Sequence, residues 1–289
     1  MRIATRSSLL ALTQSGQVAD ALGGADLVEV TGDDAPGDKE RFVRGVETAL
    51  ISGQAELGVH SAKDLPGQMT PGLSIACVPK REDPRDAWIG LGESIAGLPQ
   101  GARVGTVSLR RRAQLLAIRP DLRPVELRGN VDTRLRKLKE GRVDGIVLAM
   151  AGLKRLGLES EAAFAIPLEE MTPAAGQGCL VVQSKSGREA EAGAINDIAS
   201  EAALLAERAS VVALGADCSS PVGIHARHVE GRLLVDGFVG LADGSHWVRD
   251  RVEGDPAHPE EVGRELARRM NLAGAADILE RSSQPAPLT

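Results

Sequence analysis

The sequence predicts an α/β protein of two lobes joined by two crossings of the chain, followed by a small α+β domain. Three observations carry that prediction. Strand-like and helix-like stretches alternate from Arg2 to Ser184, the mark of a sheet covered by helices on both faces. The pattern restarts after the charged, proline-bearing "KREDPRD" (Lys80–Asp86), which suits a hinge. Beyond Leu214 it gives way to short alternating strands separated by the turn pairs Glu230-Gly231 and Asp243-Gly244. With 289 residues there is room for two or three cores.

In order, Arg2–Ala4 predicts a strand, Leu9–Leu22 an amphipathic helix and Leu27–Val30 a second strand. "TGDDAPGD" (31–38) is a polar loop, and Phe42, Val43, Val46, Ala49 and Leu50 mark one face of a helix. "LGVHS" ends a strand in polar residues before "AKDLPG". In the second lobe "ARVGT" predicts a strand, "PVELRGN" a strand and turn, "SLRRRAQLLAI" and "VDTRLRKLKEG" helices, and "GIVLAMAG" a buried strand. "PAAGQG" (173–178) predicts the crossing back, since "CLVVQS" is again a strand. The alternation implies mostly parallel sheets. The expected units are 1–79 with 179–198, 84–173, and 200–289, the last closed by a helix over about Pro259–Leu272.

Composition excludes several functions. Only 2% of residues are aromatic and none is tyrosine, so stacking platforms for bases or sugars are not expected; a net charge of −6 argues against nucleic acid. No apolar run approaches the ~20 residues of a membrane span. "MRIATRSSLLALTQSG" is broken by Arg6, Thr13, Gln14 and Ser15, so a strand leading into a helix is preferred to a secretion signal. Cys77, Cys179 and Cys218 are few, odd in number and far apart, and no Cys or His pair has metal-site spacing. A reduced, cytoplasmic protein without metal follows. Cys77 and Cys179 sit in apolar strands as small core residues, whereas Cys218 lies among small turn formers in "LGADCSSPVG", where its sulfur is reachable.

Arginine placement is the informative feature. Arg6, Arg110, Arg111, Arg128, Arg134 and Arg155 each follow a strand end or lie in the helix after one. In such lobes the carboxyl ends of strands face the ligand crevice. Guanidinium groups gathered there suit carboxylates or phosphates, and no phosphate-loop glycine motif selects phosphate. A polyanionic ligand is expected. Asp64, beside Lys63 just past a strand end, is the candidate acid, able to hold a proton or stabilise a cation in a positively charged site.

Eight segments, "RIATRSSLLAL", "VHSAKDLP", "REDPRDAW", "VGTVSLRRRAQL", "LRGNVDTRL", "LAMAGLKRLGLE", "PAAGQG" and "ADCSSPVG", resemble in order and spacing the hydroxymethylbilane synthase (porphobilinogen deaminase) family. The resemblance implies two periplasmic-binding-protein-like α/β lobes with a double crossover, plus a small α+β C-terminal domain. It implies a transferase that joins four porphobilinogen molecules head to tail, losing ammonia at each step, then releases the linear product by adding water. Porphobilinogen carries an acetate and a propionate, which accounts for the arginines.

By motif position the resemblance makes Cys218 the thioether anchor of a dipyrromethane cofactor and Asp64 the catalytic carboxylate. Lys63, Thr106, Ser108, Arg110, Arg111, Arg128 and Arg134 would bind the cofactor. Arg6, Ser8, Phe42, Ser61, Arg155 and Gln177 would bind substrate. It also implies a monomer. Four features depart from the family pattern: a short 31–42 loop, in which Lys39, Arg41 and Phe42 stand where a longer lid is usual; Val107 for a serine; Asp132 for a glycine; and Asp217 for the glycine before the cysteine. The alternatives are a bilobed polyanion-binding protein and an inactive relative that keeps the arginines.

Overall fold

A computed structural model describes residues 1–30, 41–217 and 219–283, with the side chains of Arg41 and Phe42 outside the description. The first lobe runs β1 (Arg2–Arg6), α1 (Leu9–Ala21), β2 (Asp26–Val30), α2 (Arg41–Ser52), β3 (Leu57–Ser61) and β4 (Leu73–Cys77). A first crossing, 78–85, leads to β5 (Asp86–Gly90). The second lobe continues with β6 (Arg103–Gly105), α3 (Leu109–Ile118), β7 (Arg123–Val125), α4 (Val131–Lys139), β8 (Gly145–Ala149), α5 (Met150–Arg155) and β9 (Phe164–Ala165). A second crossing, 166–179, returns to β10 (Leu180–Lys185). The remainder is α6 (Ile198–Ala213), β11 (Val222–Val229), β12 (Arg232–Gly240), β13 (Trp247–Gly254), α7 (Pro259–Leu272) and α8 (Ala275–Ser283).

The two five-stranded sheets have matching orders, β2-β1-β3-β10-β4 and β7-β6-β8-β5-β9. Each takes in one strand that enters directly from a crossing, β10 in the first and β5 in the second. That strand is antiparallel to both neighbours, while β1–β2, β1–β3, β6–β7 and β6–β8 are parallel. Four of the five strands in each sheet therefore run the same way, in line with the mostly parallel expectation, and the one reversed strand makes each sheet mixed. Periodicity reports which residues are buried, and a strand arriving from the opposite side buries the same apolar run whichever way it points.

Each layer has its own apolar core. Ile3, Val18, Leu57 and Val182 pack in the first lobe, and Trp88, Val104, Leu115, Val147 and Met171 in the second. Ile224, Val235, Leu266, Met270 and Ile278 pack where α7 and α8 cover the antiparallel sheet β11-β12-β13. "GIVLAMAG" is a strand only to Ala149. Met150 then begins α5, so Arg155 sits in that helix's last turn. The strand expected in "PVELRGN" is confined to Arg123–Val125, and α8 extends past the single closing helix expected.

The crossings run side by side. Arg81 Nε donates to Gln177 O at 2.9 Å, and Glu82 N to Gly178 O at 3.2 Å. Gly178 has φ +90, and a Cβ on it would lie 2.3 Å from Glu82 O, so only glycine lets the two backbones meet. The C-terminal domain rests on both lobes. Arg208 on α6 donates to the carbonyls of Pro66 and Gly67 at 2.9 Å each, and Arg249 on β13 donates to those of Glu169 and Glu170. Among the described residues no helix is long and apolar enough to cross a membrane.

Candidate functional site

The first lobe contributes a short turn. β3 ends at Ser61, whose hydroxyl accepts from Gln14 Nε2 at 3.0 Å, and a single 3-10 turn, Ala62–Asp64, follows. The second crossing lies on this turn. Gly176 has φ +72, and a Cβ there would stand 2.8 Å from Ala62 Cβ and 2.9 Å from Lys63 N, so the crossing approaches to backbone contact. Lys63 and Asp64 are both half-buried. Burial lowers Lys63 from its usual 10.5 to about 8; Arg111 and Arg110 act in the same direction, and Asp64 and Asp86 oppose. No described residue donates a side-chain hydrogen bond to Asp64, whereas Asp86, Glu207 and Glu47 have their oxygens engaged.

The second lobe contributes a charge knot. Asp86, the first residue of β5, is 0% exposed, and Arg110 and Arg111 at the start of α3 are 4% and 7% exposed. Arg110 Nη1 donates to Asp86 Oδ2 at 2.7 Å and to Thr172 O at 2.8 Å. Arg111 donates from Nε (3.1 Å) and Nη2 (2.7 Å) to Asp86 Oδ1, and from Nη1 to Val147 O at 2.9 Å. Gln177 completes the knot from the second crossing: its Nε2 donates to Asp86 Oδ1 at 3.0 Å and to Pro84 O at 2.7 Å. Although burial alone would raise the Asp86 carboxyl, the two guanidiniums hold it far below the usual carboxylate range.

The other expected residues fall into distinct groups. Ser8 and Ser108 are helix N-caps, accepting from Ala11 N at 3.3 Å and Arg111 N at 3.4 Å, and Thr106 Oγ1 accepts from Ser108 N at 3.1 Å. Arg134, near the start of α4, donates from Nε to Gly129 O at 2.7 Å. Burial, then Arg111, lowers it to about 10, which places its charge beside the knot. Arg155 Nη2 donates to Gly178 O at 2.7 Å, against the second crossing. Arg128 stands apart: its side chain is 72% exposed and pairs at 2.5 Å with Glu126.

Lys63, Arg110, Arg111, Gln177 and Arg134 are thus brought together where the lobes meet, and Arg128's side chain is not. Arg6 is the last residue of β1 and is engaged in an interaction of its own. The side chains of Arg41 and Phe42, with Lys39 and Cys218, lie outside the described residues. The residues beside Cys218 are informative. Asp217 Oδ1 accepts from Ser219 N at 2.7 Å, Ser219 Oγ at 2.6 Å and Ser220 N at 2.9 Å, so the aspartate in the family's glycine position organises the turn. Cys77 and Cys179 are 1% exposed and burial raises both thiols to about 12, as befits core residues.

Sequence reading missed three buried groups. Asp86 belongs to a segment read as a hinge and as the family motif "REDPRDAW", but without a role of its own; its signal is an acid opening the apolar run "AWIG", since a carboxylate there is buried only if paired. Arg81 and Glu207 pair at 2.6 Å beneath the crossings. Glu47 accepts from Thr70 Oγ1 at 2.7 Å and Gln183 Nε2 at 2.9 Å, and Gln183 in turn meets His60 at 3.0 Å under the Asp64 turn.

This fold and site define a class: a bilobed α/β protein with a carboxylate-bearing turn from one lobe set against surplus arginine charge from the other, suited to a ligand with several carboxylates. Comparison with known proteins makes it particular. Residues 1–192 match the family described as "Porphobilinogen deaminase, dipyromethane cofactor binding domain", and residues 202–271 match "Porphobilinogen deaminase, C-terminal domain". The chain belongs to the porphobilinogen deaminase family. It is 43% identical to a porphobilinogen deaminase of Thiobacillus denitrificans, covering 97% of this chain and 98% of that one. It is also 43% identical to that of Roseiflexus castenholzii (96% and 98%) and 44% to that of a Roseiflexus species (96% and 97%). A TRAP periplasmic solute binding protein of Desulfovibrio salexigens overlaps weakly: 12% identity, TM-score 0.40, 70% of this chain and 72% of that one.

Proposed function

We propose that this chain is a working hydroxymethylbilane synthase, condensing four porphobilinogen molecules head to tail on a dipyrromethane held by Cys218 as a thioether. The observation that carries the reading is the pairing of Asp64, which accepts no side-chain hydrogen bond from any described residue, with the surplus arginine charge of the knot. Inactive relatives have no reason to keep both features, and a simple polyanion binder has no use for the open carboxylate.

The residues fit the cofactor, because a dipyrromethane presents several carboxylates and the knot has more guanidinium than carboxylate to offer. When bound, the cofactor supplies the primer to which pyrrole units are added. Asp64 assists departure of ammonia and stabilises positive charge on the pyrrole nitrogens. Arg110, Arg111 and Arg134, with Lys63, hold carboxylates of cofactor and chain, helped by the N-termini of α3 and α4. Thr106 and Ser108 shape the start of α3. Arg6, Ser8, Ser61, Arg155 and Gln177 position the incoming unit, with Phe42 as part of the cover and Arg128 closing on carboxylates from the surface. The units 1–79 with 179–198, 84–173, and 200–289 are read as two lobes and an anchor domain of a cytoplasmic monomer.

Intact mass of the purified protein beside a Cys218→Ser variant tests this. The expected result is a mass excess of one dipyrromethane on the native chain only, with one-pyrrole steps appearing when porphobilinogen is added. A native chain that carries no excess and gains nothing from porphobilinogen would overturn the reading.

A further inference from the structure

Asp86 lies in the family segment "REDPRDAW" but is given no role by the resemblance, yet its side chain is held by two arginines and a glutamine. Its Oδ1 accepts from Arg111 Nε, Arg111 Nη2 and Gln177 Nε2, and its Oδ2 from Arg110 Nη1. Gln177 is equally committed. Both its amide hydrogens are donated, to Asp86 and to Pro84 O, and its Oε1 faces Arg110 Nη2 at 3.4 Å. These contacts bind β5, α3 and both crossings to one carboxylate.

The charge does not balance. Two guanidiniums face one carboxylate, all three below 10% exposure, so one positive charge remains over. A surplus charge held in a dry site is costly unless an anion completes it. The donors do not balance either. A guanidinium has five N–H groups. Arg110 uses three, on Asp86, Thr172 O and Gln177, and Arg111 three, two on Asp86 and one on Val147 O. Each is left with two that have no partner among the described residues.

We propose that Asp86 is a positioning residue for chain growth: it locks Arg110, Arg111 and Gln177 in one orientation, leaves the arginines one charge in surplus for a ligand carboxylate, and tempers the field they exert on Lys63. The proposal rests on the synthase reading above. The charged groups facing Lys63 are Asp64 of its own turn, Arg110 and Arg111 of α3, and Asp86 of β5. The second crossing, which touches this turn at Gly176, brings no charged side chain between Pro173 and Gly178. Asp86 holds Lys63 in its charged form against the two arginines, so removing its charge favours the neutral amine.

The test is steady-state turnover of porphobilinogen from low to high pH by native holoenzyme, Asp86→Asn and Asp86→Glu. Native enzyme that does not turn over fails the synthase reading; the variants are compared only against an active native protein. Asp86→Asn is expected to raise KM about tenfold or more, as loss of a buried charge pair's anchor does. It should also move the decline of kcat/KM with rising pH to lower pH. Asp86→Glu keeps the charge but displaces it by a methylene, so KM should rise while the pH profile stays native. Should Asp86→Asn fail to fold, Asp86→Glu decides alone. A folded variant of either kind with native KM, or Asp86→Asn with a native pH profile, overturns the proposal, because a merely structural residue would change stability and neither of these.

Discussion

Two buried carboxylates, Asp86 and Glu207, are each 0% exposed and each held by arginine, yet they are built for different ends. Glu207 on α6 faces a single guanidinium, Arg81 at 2.6 Å, and fills its remaining acceptor sites with the backbone N–H of Gly176 (2.6 Å) and Ala226 (2.7 Å). His225 stands at 3.4 Å, and burial chiefly lowers its pKa below the usual imidazole value. The charges there cancel, and the carboxylate ties the first crossing, the second crossing and the C-terminal sheet together. Asp86 is outnumbered two to one by arginine and its carboxylate takes no backbone donor among the described residues. A balanced knot is complete in itself and serves the architecture. An unbalanced one is complete only with an anion, and it sits where Lys63 and Asp64 arrive from the other lobe.

The strongest test of the contrast is Glu207→Gln. Breaking a balanced buried pair strands Arg81, so stability should fall by about 3–5 kcal/mol, read as a lower denaturation midpoint, while the folded protein keeps its KM for porphobilinogen. Asp64→Asn should do the reverse. Turnover falls about a hundredfold or more and the melting temperature hardly changes, since no described side chain bonds to the carboxylate. Equal losses of stability in both variants would erase the distinction.

Acid should act on both knots. The folded Asp86 and Glu207 carboxyls lie below their usual values, so their contribution is intact above the ordinary carboxylate range and is lost as pH falls through the folded values. His60 adds a milder slope at higher pH. Burial lowers it from 6.5 to about 4, so the unfolded chain takes up this proton first, and stability should decline as pH drops through that window. Melting temperatures from pH 7.5 to 3.5, with a His60→Gln variant flattening only the upper part, check the assignment.

Lys63 gives a smaller effect. Lowered to about 8, it should react with an amine-selective reagent at pH 8 ahead of surface lysines, and an added polycarboxylate should protect it. Least affected is Arg128→Ala. An exposed pair with Glu126 supports less than about 1 kcal/mol of stability, so only substrate binding, if Arg128 closes on ligand, should respond.

Much of this was readable from residue order. Alternating apolar runs marked the lobes, turn pairs marked the final sheet, and eight motifs named the family before any contact was known. What escaped had a common cause. The strand of "REDPRDAW" begins at Asp86 itself, and a single sequence shows an aspartate there without showing that two arginines bury it. Likewise Arg110 and Arg111 looked like open ligand donors, because sequence places them at a helix start but says nothing of the carboxylate they already hold. Arg128 looked like their equal, yet its side chain lies exposed on Glu126.

The sequence by itself determined the class of fold and the family, and nominated the candidate acid and Cys218, because these depend on local patterning and on residue types at fixed spacing. Only the tertiary structure decided which way β5 and β10 run, which arginines are engaged and where a charge is left over. Those outcomes depend on partners distant along the chain: Arg110 is 24 residues from Asp86, and Gln177 is 91. Burial and charge balance exist only once such segments are brought together.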